Sequence, residues 1–113
     1  IYMQALHILI MLRGKNIENT SGKKLLLDAD WDKLFHLSNA IHGDFITRIK
    51  NDFPTLTKHD IEICCLLRFG IEHEVLGSIF LTETDSVTKA KRRMKKRLNL
   101  SASDDLDVFL LKY

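Results

Sequence analysis

Between Thr88 and Arg97, seven of ten residues are Lys or Arg and none is acidic. A run of this type can hold anions, through ion pairs and charge-assisted hydrogen bonds. The whole chain has 17 Lys and Arg against 15 Asp and Glu, a net charge of +2. Seven of those cations lie in this run, so the remainder has ten against 15 acids and is itself negative. The total is too small to name a partner, and only its distribution informs. A solvated helix face is the bland explanation of a charge run. Such faces usually mix signs, because like charges at i,i+4 cost roughly 0.2–0.5 kcal/mol per pair. A segment that accepts several such repulsions points to an anionic partner.

Other reactive side chains do not assemble into a catalytic or metal pattern. His59 and Cys64 would lie on one helix, but no third group accompanies them. His36, His42 and His73 are scattered without metal-ligand spacing. Cys64 and Cys65 are adjacent in an apolar run, where a helix would turn them about 100° apart, so they read as buried thiols in a reducing compartment. Asn19-Thr20-Ser21 and Asn99-Leu100-Ser101 fit the glycosylation pattern, but nothing else suggests secretion. No glycine-rich phosphate loop is present. The chain reads as a binding protein rather than an enzyme, with no catalytic residue, no metal site and no small-molecule cofactor expected.

The elements that must position the basic run are helical. With 45% hydrophobic and 28% charged residues the chain is globular, and a single Pro, five Gly and no clean apolar–polar alternation argue against a β fold. At 113 residues there is room for one domain, or a small domain with an appendage. Residues 1–13 predict a helix, apolar on nearly every side, that must bury itself on the domain or on a partner chain. Its run of about twelve residues is too short to span a membrane, which needs about 20. The opening residue is Ile1, which suggests a piece of a longer protein. "GKNIENTSGKK" (14–24) reads as a linker. Asp30 is expected to cap a helix bearing Trp31, Leu34, Phe35, Leu37 and Ile41, with a break at His42-Gly43. Asp44 is expected to cap the next helix, stopped at Phe53-Pro54. Thr57 and Asp60 resemble a capping box for "KHDIEICCLLRFG", which Gly70 terminates. A short helix runs from Glu72 to Phe80 with Val75, Leu76 and Ile79 inward. The basic helix follows with Thr84 as N-cap, and a last helix carries Leu106, Phe109 and Leu110.

At 100° per residue, Val87, Ala90, Met94 and Leu98 fall on one apolar stripe, with Lys91 and Arg97 beside it. Thr88, Lys89, Arg92, Arg93, Lys95 and Lys96 fill the remaining arc. Two short helices joined by "LTET", the second one basic, match a helix-turn-helix, whose second helix reads base edges while flanking cations meet phosphates. The predicted core is Trp31, Phe35, Phe45, Cys65, Leu67, Ile79, Val87, Met94 and Leu98; Cys64, whose thiol diverges from that of Cys65, is left open.

With the elements placed, residues 56–100 resemble the LuxR-type (GerE-like) DNA-binding domain. The resemblance is carried by Leu56-Thr57, Asp60, the Leu66-Leu67 pair, Gly70-Ile71, Glu74-Val75, Ser86-Val87 and the closing "KRLNL". Over about 30–113 the pattern of Trp31, Phe45, "FPTLT", the basic segment and "DLDVFLLKY" is similar to the C-terminal output domain of large helical-repeat bacterial regulators. Relative to the family, the segment "IEHEVLG" is one residue short and "LTETDSV" one residue longer, and Lys91 replaces a commonly apolar residue. The resemblance implies an all-α helix-turn-helix bundle at 30–113, preceded by an N-terminal helix and linker at 1–29. It implies sequence-specific duplex DNA binding with a recognition helix at about 85–97 in the major groove. Its base-facing positions fall on Thr88, Lys89 and Arg92, and its phosphate-facing positions on Arg93, Lys95 and Lys96. A homodimer is expected, RNA polymerase is a further candidate partner, and the location would be cytoplasmic, as part of a free or membrane-anchored regulator. The rival is a helical interaction module whose basic face meets an acidic protein, RNA or membrane phosphates, with a sigma-factor-like domain that meets polymerase as well as DNA as a related variant.

Overall fold

The computed structural model describes residues 2–13 and 25–113. These form seven α-helices and, among the described residues, no strand: α1 (Tyr2–Leu12), α2 (Asp28–Ile41), α3 (Phe45–Asp52), α4 (Lys58–Arg68), α5 (His73–Phe80), α6 (Thr84–Arg97) and α7 (Leu106–Lys112). The all-helical expectation is met. The segment read as a linker, 14–24, lies outside the described residues. No helix among them is long and apolar enough to cross a membrane.

Local chemistry sets most boundaries. At α4 the capping box forms as its spacing predicts: the Asp60 N–H donates to the Thr57 hydroxyl (3.1 Å) and the Thr57 N–H to the Asp60 carboxylate (2.9 Å). The same helix ends in a Schellman turn, the Ile71 N–H donating to the Leu66 carbonyl, with Gly70 at φ 81°.

Three predicted caps sit differently. α2 starts three residues earlier than expected, after Leu27, so Asp30 is its third residue and accepts from the Leu27 N–H at 2.9 Å instead of preceding the helix. Asp44 precedes α3 but adopts a left-handed conformation (φ 57°) and makes no side-chain cap. Asn39 of α2 takes over that role, its carbonyl oxygen accepting from the N–H groups of Ile46 (2.9 Å) and Thr47 (3.3 Å). Thr84 is the first residue of α6, after Glu83 as N-cap.

Arg48 closes the α2–α3 corner by donating to the carbonyls of Gly43 (2.8 Å) and His42 (3.2 Å). The His42 ring touches the buried Ser38 hydroxyl through Nδ1 at 2.8 Å. Burial and the neighbouring Arg68 guanidinium hold its imidazole down to about 4, so it stays neutral at physiological pH.

The core runs through all seven helices, with Phe45, Leu34, Ile49, Leu66, Leu76, Met94 and Leu110 fully buried. Trp31 stacks on Phe80 at 5.7 Å, joining α2 to α5. Of the predicted core, Phe35 departs: it is only half-buried, at the edge of the Trp31 ring and beneath the Lys50 ammonium (5.6 Å). Val75 is likewise half-buried. Cys64 and Cys65 are both fully buried. The first helix settles against its own domain by one face: Ala5, Leu9 and Leu12 are buried, and the Arg13 guanidinium donates to the Phe69 carbonyl. Tyr2, Met3, Leu6, Ile10 and Met11 remain exposed.

Candidate nucleic-acid interface

α6 is built to show charge outward. Val87, Ala90, Met94 and Leu98 are all buried, Met94 completely, as the predicted stripe requires. The turn from α5 is three residues long, Leu81–Glu83, with Leu81 left-handed (φ 54°). Asp85 lies in the first turn of α6 and Lys95, Lys96 and Arg97 in the last. Both ends therefore match the helix dipole, which favours acids at the start and cations at the end. After Arg97 the chain leaves through a second Schellman turn with Asn99 at φ 61°, the Leu100 N–H donating to the Lys95 carbonyl at 2.8 Å.

The seven cations divide into two groups. Arg97 pairs with the buried Asp60 at 2.6 Å, so the carboxylate that caps α4 also holds the end of α6. Lys91 pairs with Asp107 of α7 at 3.0 Å, and the Lys95 ammonium donates to the Ala102 carbonyl at 3.3 Å. These three fix the helix. The side chains of Lys89, Arg92, Arg93 and Lys96 are exposed and make no ion pair or hydrogen bond with another described residue. They form the outward face.

The residues expected to face bases, Thr88, Lys89 and Arg92, are exposed along one side of α6, and the Thr88 hydroxyl lies 3.4 Å from Nε2 of His73, the first residue of α5. Of the residues expected to face phosphates, Arg93 and Lys96 are exposed, whereas Lys95 is half-buried and donates to the Ala102 carbonyl. On the helical wheel Lys91 and Arg97 lie beside the apolar stripe, and the sequence assigns them no partners. That position was the signal: a cation flanking a buried stripe lies within reach of carboxylates on the supporting helices. A cleft of about 620 Å³ opens beside the face, with Arg92, Lys95 and Lys96 on one side and Ser103, Asp104 and Asp105 on the other.

The remaining reactive residues stay apart. His59 is exposed, edge-on to Phe80 at 4.6 Å and 3.7 Å from Glu62, while Cys64 is sealed in the core. Burial, together with Asp60, pushes the Cys64 thiol up to about 12, and burial pushes Cys65 up as well, so neither is a thiolate near neutral pH. Among the described residues no group of three or more His, Cys, Asp or Glu could hold a metal ion. Compared with known protein families, curated proteins and solved structures, the chain matches none of them.

Proposed function

We propose that this chain binds duplex DNA sequence-specifically, as the output domain of a transcriptional regulator of the LuxR type, with α6 in the major groove. The observation that carries the reading is the division of labour on α6. Its apolar stripe and three cations are committed to the fold, which leaves Lys89, Arg92, Arg93 and Lys96 on a rigid outward face. A helix fixed on several sides can hold side chains in register with base edges, as a groove reader must. Thr88, Lys89 and Arg92 read bases and Arg93 and Lys96 hold phosphates, while Lys95 stays on the Ala102 carbonyl. The exposed side of α1 contains no charged residue and pairs with a second copy, which links two half-site readers at high effective concentration.

The direct test is a fluorescence titration of random duplex DNA at two salt concentrations. Binding at micromolar protein that weakens steeply with salt is expected, because each neutralised phosphate adds about 0.9 to the log–log slope. A protein that ignores duplex DNA but takes up an acidic protein partner would replace this reading with that of an interaction module.

A further inference from the structure

The cleft beside α6 brings opposite charges into one space. Arg92, Lys95 and Lys96 enter it from the helix, and Asp104, Asp105 and Asp107 from the loop after α6 and the first turn of α7. One pair has already closed across it: Lys91 on Asp107, with 15% of the lysine side chain exposed. The other two acids are held from behind by backbone hydrogen bonds. The Asp104 carboxylate accepts from the Ser101 N–H at 2.8 Å, and the Asp105 carboxylate caps α7 by accepting from the Val108 N–H at 3.1 Å. They stand where they do because the loop needs them there, whether or not a cation faces them.

The consequence is an asymmetry around α6. On the helical wheel Lys91 and Lys95 flank Arg92 on one side, and Lys89 and Arg93 lie around the other. A phosphodiester chain passing the Lys91–Lys95 flank would run against three carboxylates, whereas on the Lys89–Arg93 flank it meets cations. Resting on the duplex-binding reading above, we propose that Asp104, Asp105 and Asp107 form an acidic lip that bars the DNA backbone from the Lys91–Lys95 flank of α6. The lip fixes the side on which the backbone runs and trims affinity for duplexes of any sequence. Phosphate attraction is independent of sequence and base contacts are not, so like-charge repulsion at the lip lowers affinity for all duplexes alike and leaves base contacts a larger share of the binding energy.

Asn at each position keeps an oxygen able to accept the Ser101 and Val108 N–H bonds, so Asp104→Asn, Asp105→Asn and Asp107→Asn test charge with the caps retained. The intact chain and the triple variant are compared by anisotropy on a random-sequence duplex at two salt concentrations, and by elution from heparin as a second polyanion. Asp32→Asn, an exposed acid on α2 outside the cleft, serves as the single-charge control. The triple variant should bind the random duplex about tenfold more tightly or better and show a steeper salt slope. Asp107→Asn alone, which frees Lys91, should gain about fivefold, and Asp32→Asn clearly less than either. A folded triple variant that binds no more tightly than Asp32→Asn overturns the lip. If no variant binds duplex, the DNA reading falls, and heparin decides separately: later elution of the triple variant supports the lip, and co-elution with the parent overturns it.

Discussion

α1 and α6 bury similar faces and expose opposite ones. On the inside, Ala5, Leu9 and Leu12 of one correspond to Val87, Ala90, Met94 and Leu98 of the other, all buried aliphatic or thioether side chains. On the outside, α1 shows Tyr2, Met3, Leu6, Ile10 and Met11, and α6 shows Lys89, Arg92, Arg93 and Lys96. The inner faces account for the fold and do not distinguish the two helices. The outer faces do, because neither composition is what water alone would select. An uncharged face attracts only at contact, through the area it removes from water. A face of one sign attracts anions over about a Debye length, roughly 10 Å at 0.1 M salt. One helix suits pairing with its own kind, the other a polyanion.

The comparison breaks most severely if the inner face of α6 is misassigned. Met94→Asp would put an unpaired carboxylate at a fully buried position, and should cost several kcal/mol (about 3 or more) or unfold the domain. Thermal melting followed by circular dichroism reads the result, and a mutant that melts like the parent would put the stripe on the wrong side. Next in size is Arg97→Ala. It leaves Asp60 buried without its guanidinium, though still accepting from Thr57, and should cost about 2–3 kcal/mol in urea unfolding. The discriminating comparison is Lys89→Ala, on the outer arc, which should move stability by less than about 0.5 kcal/mol. Equal losses in the two variants would erase the division between fixing and facing cations.

For α1 the corresponding change is Ile10→Glu on the exposed side. Stability should shift by no more than about 0.5 kcal/mol, while the dimer dissociation constant measured by sedimentation rises about tenfold or more. A monomer in both parent and variant would leave α1 with a packing role only.

Much of this was legible from residue types. The helical class, the Thr57–Asp60 box, the Gly70 stop and the α6 stripe follow from local spacing, because each interaction closes within five residues of chain. What escaped is nonlocal. Asn39 caps α3 from seven residues away, Arg97 reaches Asp60 across 37, and Lys91 reaches Asp107 across 16. No periodicity encodes such partners, since they exist only once the helices have docked. Phe35 shares a helix face with Trp31 and Leu34, yet it stays half-exposed because the groove beside it is left open between Lys50 and Phe53. The charge run itself was plain, but the split between its structural and its outward cations was visible only as the position of Lys91 and Arg97 at the edge of the stripe.

The finest comparison lies within the outer face of α6, between reading and holding. Arg92 is exposed in the middle of the helix and Lys96 one turn further on, near the end that a docked helix turns toward the phosphates. Arg92→Ala should cost about 1–3 kcal/mol on the preferred site and relax base preference at one position, because the guanidinium fork can bridge one base edge. Lys96→Ala should weaken all duplexes alike and make the salt slope shallower by about one unit, as expected for one lost phosphate contact. Lys89→Ala should resemble Arg92→Ala in kind, though its flexible ammonium reads less strictly than a planar fork. Site selection from a random library, followed by titration of each variant on selected and random duplexes, separates the two behaviours. If all three variants lose the same affinity on both, the outer face of α6 does not read bases, and its contrast with α1 reduces to a charged anchor against an apolar one.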